Sequence, residues 1–179
     1  MIGAFILCGG NSRRMGEFKP LVLWNGRSLI DYTIDTVLRL DLPIHLVAKP
    51  HQVTLLSNLN LPILKDTEEM VHPLSGVVTA LKHLPSLNVE SALILPCDSP
   101  LITAETLMKM TSHCPSVLAD DTGVTHPLIS HVSTNQLSSA QTALNNHSSM
   151  RAFAESFVRV RVSKEETVNF NHLADLLSF

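Results

Sequence analysis

Charged side chains are scarce in this chain: 13 Lys and Arg against 16 Asp and Glu in 179 residues, 16% of the total. The net charge of −3 and the lack of any basic block exclude the electrostatic footprint of a nucleic-acid binder. With 45% hydrophobic residues, the same scarcity excludes a disordered chain and predicts one well-buried domain over residues 1–179. Cysteine is also sparse. Cys8, Cys97 and Cys114 have neither a disulfide-framework spacing nor a C-x-x-C metal spacing, which points to a reducing compartment. No apolar run approaches the roughly 20 residues needed to cross a bilayer. The first such run, Ile2 to Leu7, lacks a charged leader and is too short for a signal peptide, so the expected location is cytoplasmic. The histidines do not cluster either. His126 and His131 are five apart with Pro127 between them, so the expectation is scattered surface or cap histidines and no zinc site.

The chain does contain short β-rich runs alternating with amphipathic stretches. Ile2 to Leu7, Ile44 to Ala48, Ala92 to Pro96 and Val158 to Val162 read as strands. Leu29-Ile30…Ile34…Val37-Leu38 and Leu74…Val77-Val78…Leu81 carry apolar residues at helical spacing. Leu93-Ile94-Leu95 is continuously apolar, as suits a strand covered on both faces. Such alternation predicts an α/β, three-layer, Rossmann-like fold with a mostly parallel central sheet. Trp24 and the leucine-rich stripes are expected in the core.

Ligands of such sheets sit at the carboxyl ends of the strands, and two loops there carry chemistry. The first is Leu7-Cys8-Gly9-Gly10-Asn11-Ser12-Arg13-Arg14-Met15-Gly16-Glu17-Phe18-Lys19. Paired glycines allow close approach of backbone amides to a polyphosphate, and Arg13, Arg14 and Lys19 supply cations. It is not a Walker loop, because Glu17 and Phe18 follow Gly16, and it lacks the G-x-G-x-x-G spacing of a dinucleotide fingerprint. The plainer alternative is a surface turn with solvated cations. The second is Leu95-Pro96-Cys97-Asp98-Ser99-Pro100-Leu101, a strand emptying into a turn with a carboxylate at its tip. Mg²⁺ takes one or two carboxylates together with phosphate oxygens and water, and Asp98 is placed to supply one. Read alone, Asp98 is equally a turn residue, with Thr103 as N-cap of the next helix.

Leu7, Gly9, Gly10, Ser12, Arg14, Met15, Gly16 and Lys19 together resemble the signature loop of the molybdenum cofactor guanylyltransferases. Cys8 stands where that family has a small alanine, and Phe18 where it has Asp. Cys97-Asp98-x-Pro100 is similar to the family's metal-binding segment. Lys65-Asp66-Thr67 followed by His72-Pro73-Leu74-Ser75-Gly76 resembles its Asp and Gly-Pro-Leu-x-Gly turn. His126-Pro127 falls where the family has His-Pro near the acceptor, and Lys49 where it has Asn near guanine. Asn169-Phe170-Asn171 resembles the start of its Asn-x-Asn ending, which makes Asn171 a candidate near metal and phosphates, with Asn169 behind it.

The resemblance implies a fold of the nucleotide-diphospho-sugar transferase type and transfer of GMP from Mg-GTP to molybdopterin, releasing pyrophosphate. It implies catalytic roles for Arg14, Lys19 and Asp98, with Asp98 on Mg²⁺. It implies nucleotide-binding roles for Leu7, Cys8, Gly9, Gly10, Ser12, Arg14, Lys19, Lys49, Asp66 and Asn171. GTP and molybdopterin are the implied small-molecule partners, with transient contact to other molybdenum cofactor proteins and none to nucleic acid or membrane. The alternatives are a cytidylyltransferase on the same or another phosphorylated metabolite, and a nucleotide-binding relative without turnover.

Overall fold

Strand β1 (Ile2–Leu7) is an inner strand of a seven-stranded sheet. The structure, a computed structural model, describes residues 1–9, 17–68 and 72–170. A hairpin of β2 (Leu23–Trp24) and β3 (Arg27–Ser28) turns on Asn25 (φ 48°) and Gly26 (φ 78°), the left-handed pair that a two-residue hairpin needs. There follow α1 (Leu29–Leu38), β4 (Ile44–Ala48), α2 (Val53–Leu56), β5 (Ile63–Lys65), α3 (Pro73–His83) and β6 (Ser91–Pro96). The chain continues through α4 (Ala104–Thr111), β7 (Ser116–Asp120), β8 (Thr125–Ser133), α5 (Leu137–Asn145), α6 (Met150–Phe153) and β9 (Val158–Val162).

The strand order is β5-β4-β1-β6-β8-β7-β9. β8 alone runs antiparallel, against β6 on one side and β7 on the other, while the remaining pairs are parallel. The chain moves outward from β1 to β4 and β5, then returns to place β6 on the other side of β1. The crevice at the carboxyl ends of β1 and β6 is therefore the switch point at which such sheets bind ligands.

Continuous apolar strands feed two cores by side-chain parity. Ala4 and Ile6, Leu46 and Ala48, and Leu93 and Leu95 face α1 and α4. Phe5, Val47, Ala92 and Ile94 face α3, α5 and α6. On α3, Leu74, Val77, Val78 and Leu81 are wholly buried, each removing side-chain area worth about 1.5–3 kcal/mol from water. Gly76 lets that helix ride close to β1, since a Cβ there would lie 3.0 Å from Leu7 Cδ2. The helix starts on Pro73, with His72 Nδ1 accepting the Leu74 N–H at 3.1 Å. Outer strand β9 exposes Arg159 and Arg161, charges that discourage pairing with another chain.

Candidate functional site

β1 delivers Leu7, Cys8 and Gly9 to the switch point. The Cys8 N–H continues the ladder by donating to the Val47 carbonyl at 2.8 Å. Burial pushes the Cys8 and Cys97 thiols up, so neither is poised as a nucleophile. Gly10, Ser12, Arg14 and Asn171 lie outside the described residues.

β6 delivers Asp98, which is 6% exposed. The Lys19 ammonium, carried by the short 3-10 turn Lys19–Leu21, meets its carboxylate. From the other side the Asn169 amide faces only acceptors, and with its nitrogen turned to them it donates to Asp98 Oδ1 (2.8 Å), Oδ2 (2.6 Å) and the backbone carbonyl (3.1 Å). The Phe170 N–H donates to that same carbonyl at 3.1 Å. Burial pushes the Asp98 carboxyl up, and Lys19 works against that shift. Lys19, Asp98 and Asn169 are thus brought together.

Lys49 and Asp66 form a second pair, at the ends of β4 and β5. Their Nζ and Oδ2 are 3.0 Å apart, with side chains 8% and 3% exposed. Lys49 Nζ also donates to the Glu68 carbonyl at 2.6 Å. Asp66 Oδ2 accepts from Ser75 Oγ (2.6 Å), and Oδ1 from Thr79 Oγ1 (3.3 Å) and the Glu68 N–H (3.2 Å). This cluster ties two strands to α3.

At the same sheet edge, Asp120 closes the β7–β8 hairpin. It accepts from the Thr122 N–H (3.0 Å) and hydroxyl (2.5 Å) and the Val124 N–H (3.0 Å), and it lies 3.3 Å from His126 Nε2. The Thr122 hydroxyl leads the effects that lower its carboxyl to about 2. His126-Pro127 thus opens β8. Other histidines differ from the surface-or-cap expectation. His72 is a cap, but His45 and His131 are buried. His131 Nδ1–H donates to the His113 carbonyl at 2.8 Å, which leaves Nε2 to accept the Ser91 hydroxyl at 2.8 Å. Burial lowers its pKa, keeping the ring neutral.

Among the described residues no group of three or more His, Cys, Asp or Glu is placed to hold a metal by itself. Among the described residues, Asp98 is the one carboxylate placed for a cation at this switch point, with the Asn169 amide beside it. One carboxylate with an amide beside it fits Mg²⁺ and fits zinc poorly. No helix among the described residues is long and apolar enough to cross a membrane.

The sheet is doubly wound and mostly parallel, with a lysine–aspartate pair at its switch point, an α/β architecture suited to a small-molecule ligand there. Residues 4–162 match the family described as the MobA-like NTP transferase domain, and the chain belongs to that family. It is 37% identical over 130 residues to a probable molybdenum cofactor guanylyltransferase of Flavobacterium johnsoniae, covering 70% of this chain and 65% of that one. It is 30% identical over 187 residues to the molybdenum cofactor guanylyltransferase of Histophilus somni, covering 98% of this chain and 94% of that one. A bifunctional molybdenum cofactor biosynthesis protein of Synechocystis is 36% identical over 105 residues, 59% of this chain but 29% of that longer protein. The chain therefore spans less than two thirds of some relatives that it matches. The crystal structure of molybdopterin-guanine dinucleotide biosynthesis protein A from Archaeoglobus fulgidus shares the fold, with a TM-score of 0.79 over 99% of this chain and 96% of that one, at 19% identity.

Proposed function

We propose that this chain transfers GMP from GTP to the terminal phosphate of molybdopterin, in the biosynthesis of a guanine dinucleotide cofactor. The observation that carries this reading is the similarity to the Histophilus somni enzyme along 98% of the chain, joined to a lysine–aspartate pair at the switch point. An oxygen of the acceptor phosphate attacks the α-phosphorus of GTP, the bond from that phosphorus to the bridging oxygen breaks, and pyrophosphate leaves. The attacking oxygen is already anionic, so no strong general base is required. Alignment and charge stabilisation supply the rate.

In this reading the amides of Gly9 and Gly10, with Leu7, Cys8, Ser12 and Arg14, receive the triphosphate, and Lys19 offsets its charge. Asp98 holds Mg²⁺, which would stabilise negative charge on the phosphates when bound. Asn169 orients the Asp98 carboxylate, and Asn171 is a further candidate for the metal and phosphates. Asp66 fixes Lys49 at the end of β4, where the resemblance places the base.

Thermal unfolding with GTP, CTP, ATP and UTP, each with and without Mg²⁺, tests the reading. Ligand at about 100 times its dissociation constant adds about 2.7 kcal/mol. That raises the midpoint of a domain this size by about 5–10 °C. The expected result is a shift with Mg-GTP, followed by pyrophosphate release when molybdopterin is added. A shift selective for Mg-CTP would transfer the assignment to a cytidylyltransferase. No shift with any nucleotide would overturn it.

A further inference from the structure

After β9 the chain crosses to the carboxyl end of β6, and residues Ser163 to Phe170 are pinned at two points on either side of Asn169. The first pin is Glu166, in the short 3-10 turn Lys164–Thr167. Its Oε2 accepts from Thr103 Oγ1 (2.7 Å), Thr106 Oγ1 (2.6 Å) and, at 3.4 Å, the Thr103 N–H. These groups sit at the start of α4, where a carboxylate also meets the favourable end of the helix dipole.

The second pin is Phe170, wholly buried with Val22, Trp24 and Leu29. Its ring meets Trp24 edge-on, at a centroid distance of 5.1 Å and an interplanar angle of 71°. Val168 packs on the same cluster. In an extended segment alternate residues face opposite ways. Val168 and Phe170 turn toward Trp24, and Asn169 between them turns its amide onto Asp98. Both ends of Asp98 are gripped, the carboxylate by Asn169 and the carbonyl by the Phe170 N–H.

We infer that Glu166 and Phe170 are positioning residues, two anchors of a strap that holds Asn169 on Asp98 and so fixes the carboxylate for phosphoryl transfer. The inference rests on the proposed function for its catalytic half and on geometry alone for its structural half. Glu166 acts on Asp98 through Asn169, and Phe170 acts through Asn169 and through its own backbone N–H, as the outer partners of a metal-binding group do, whose loss typically costs 10–100-fold.

The test uses the full chain with Glu166→Ala, Glu166→Gln, Phe170→Leu and Phe170→Ala, beside Leu144→Ala in the opposite core as a control for destabilisation. Trp24 is the chain's one tryptophan, so its emission reports docking of the strap. The Asn169 side-chain amide resonances report its hold on Asp98. Glu166→Ala and Phe170→Leu are expected to red-shift Trp24 emission, to move or broaden the Asn169 amide signals, and to lower kcat about tenfold with KM for the nucleotide within about twofold. Glu166→Gln keeps an acceptor for both threonine hydroxyls and is expected to recover at least half of each effect. Leu144→Ala is expected to lose stability and keep kcat.

Unchanged Asn169 signals in both Glu166→Ala and Phe170→Leu would overturn the strap. Moved signals with parental kcat would overturn its catalytic half. A parental chain with no turnover on Mg-GTP and molybdopterin would overturn the proposed function and that half with it, while the Asn169 signals still decide the structural half. Should Phe170→Ala fail to fold, Phe170→Leu and the Glu166 variants carry the same readouts.

Discussion

Lys49–Asp66 and Lys19–Asp98 are both buried ion pairs at one edge of the same sheet, yet their surroundings differ. Asp66 has its ammonium, two hydroxyls and an amide N–H, which meet all four of its lone-pair directions. Asp98 has the Lys19 ammonium, the Asn169 amide on both oxygens and a backbone N–H, and its lysine side chain is 18% exposed where that of Lys49 is 8%. Burial raises the Asp98 carboxyl above its usual range even with Lys19 beside it. The first pair is closed and ties β4, β5 and α3 together. The second holds its carboxylate buried at an energetic cost, with the more exposed lysine of the two. Identical residue types thus stand in differently exposed surroundings at one sheet edge.

The sharpest way to break this contrast is Asp98→Asn. Turnover is expected to fall about 1,000-fold, the scale of losing a principal electrostatic contact in phosphoryl transfer. Stability should move the other way. Because the folded-state pKa lies above the unfolded one, folding favours the protonated acid. That contribution is complete below the unfolded value of 3.8 and is lost as pH rises through the folded one. At neutral pH the ionised Asp98 is therefore a net cost, and Asp98→Asn is expected to raise the thermal midpoint by about 1–3 °C. A lower midpoint at pH 7 would contradict this account.

Asp66→Ala should act in reverse. It leaves Lys49 buried beside stranded donors, a loss of about 3 kcal/mol or more, and calorimetry should show the midpoint falling by about 6–12 °C. The double variant Lys49→Met, Asp66→Leu removes both charges and is expected to regain at least half of that loss. If the single variant stays within about 2 °C of the parent, the pair is not the tie described here.

Lys19→Ala gives the smallest total effect. Losing the contact proposed for the triphosphate is expected to cost about 100-fold in kcat/KM, mostly as a raised KM for the nucleotide, with the midpoint lower by about 2–4 °C because the buried Asp98 carboxylate loses its ammonium. Steady-state kinetics beside thermal unfolding checks both parts.

Much of the frame was legible from hydrophobic pattern. β1, β4 and β9 span the runs read from sequence, and β6 begins one residue earlier, at Ser91. These strands are continuous apolar or alternating segments bounded by turn residues, so local composition suffices. The β7–β8 pair was not legible. β8 opens with Thr125-His126-Pro127, and its ladder with β7 shifts register between Val117 and Leu118, so neither strand shows a clean period of two. The β2–β3 hairpin did carry a readable signal, the dipeptide Asn25-Gly26.

At the candidate site, Lys19 and Asp98 were singled out by residue type beside turn residues, and the structure brings the two together. The strap was not singled out. Glu166 and Thr103 are 63 residues apart, and nothing in the composition around Glu166 distinguishes it from a solvated acid. Asn169, read as standing behind Asn171, is the asparagine found on Asp98. Likewise Lys49 and Asp66 carried no mark of being partners until β4 and β5 were paired.

The reversed strand β8 also bears on the order in which the molecule assembles. β7 and β8 are joined by a short turn and can meet early, since few residues must be confined to close them. β1 and β6 are different: Ile2 pairs with Ser91, and the whole of β4, β5 and α3 lies between. Contacts of such long sequence separation form slowly, because chain entropy is lost before they reward it. The crevice where Lys19 meets Asp98 is bounded by that late seam, whereas the hairpin that carries His126 rests on an early one. A nascent or partly unfolded chain would thus hold its β7–β8 hairpin while lacking the crevice, and whatever depends on the crevice would arrive only with that long-range closure.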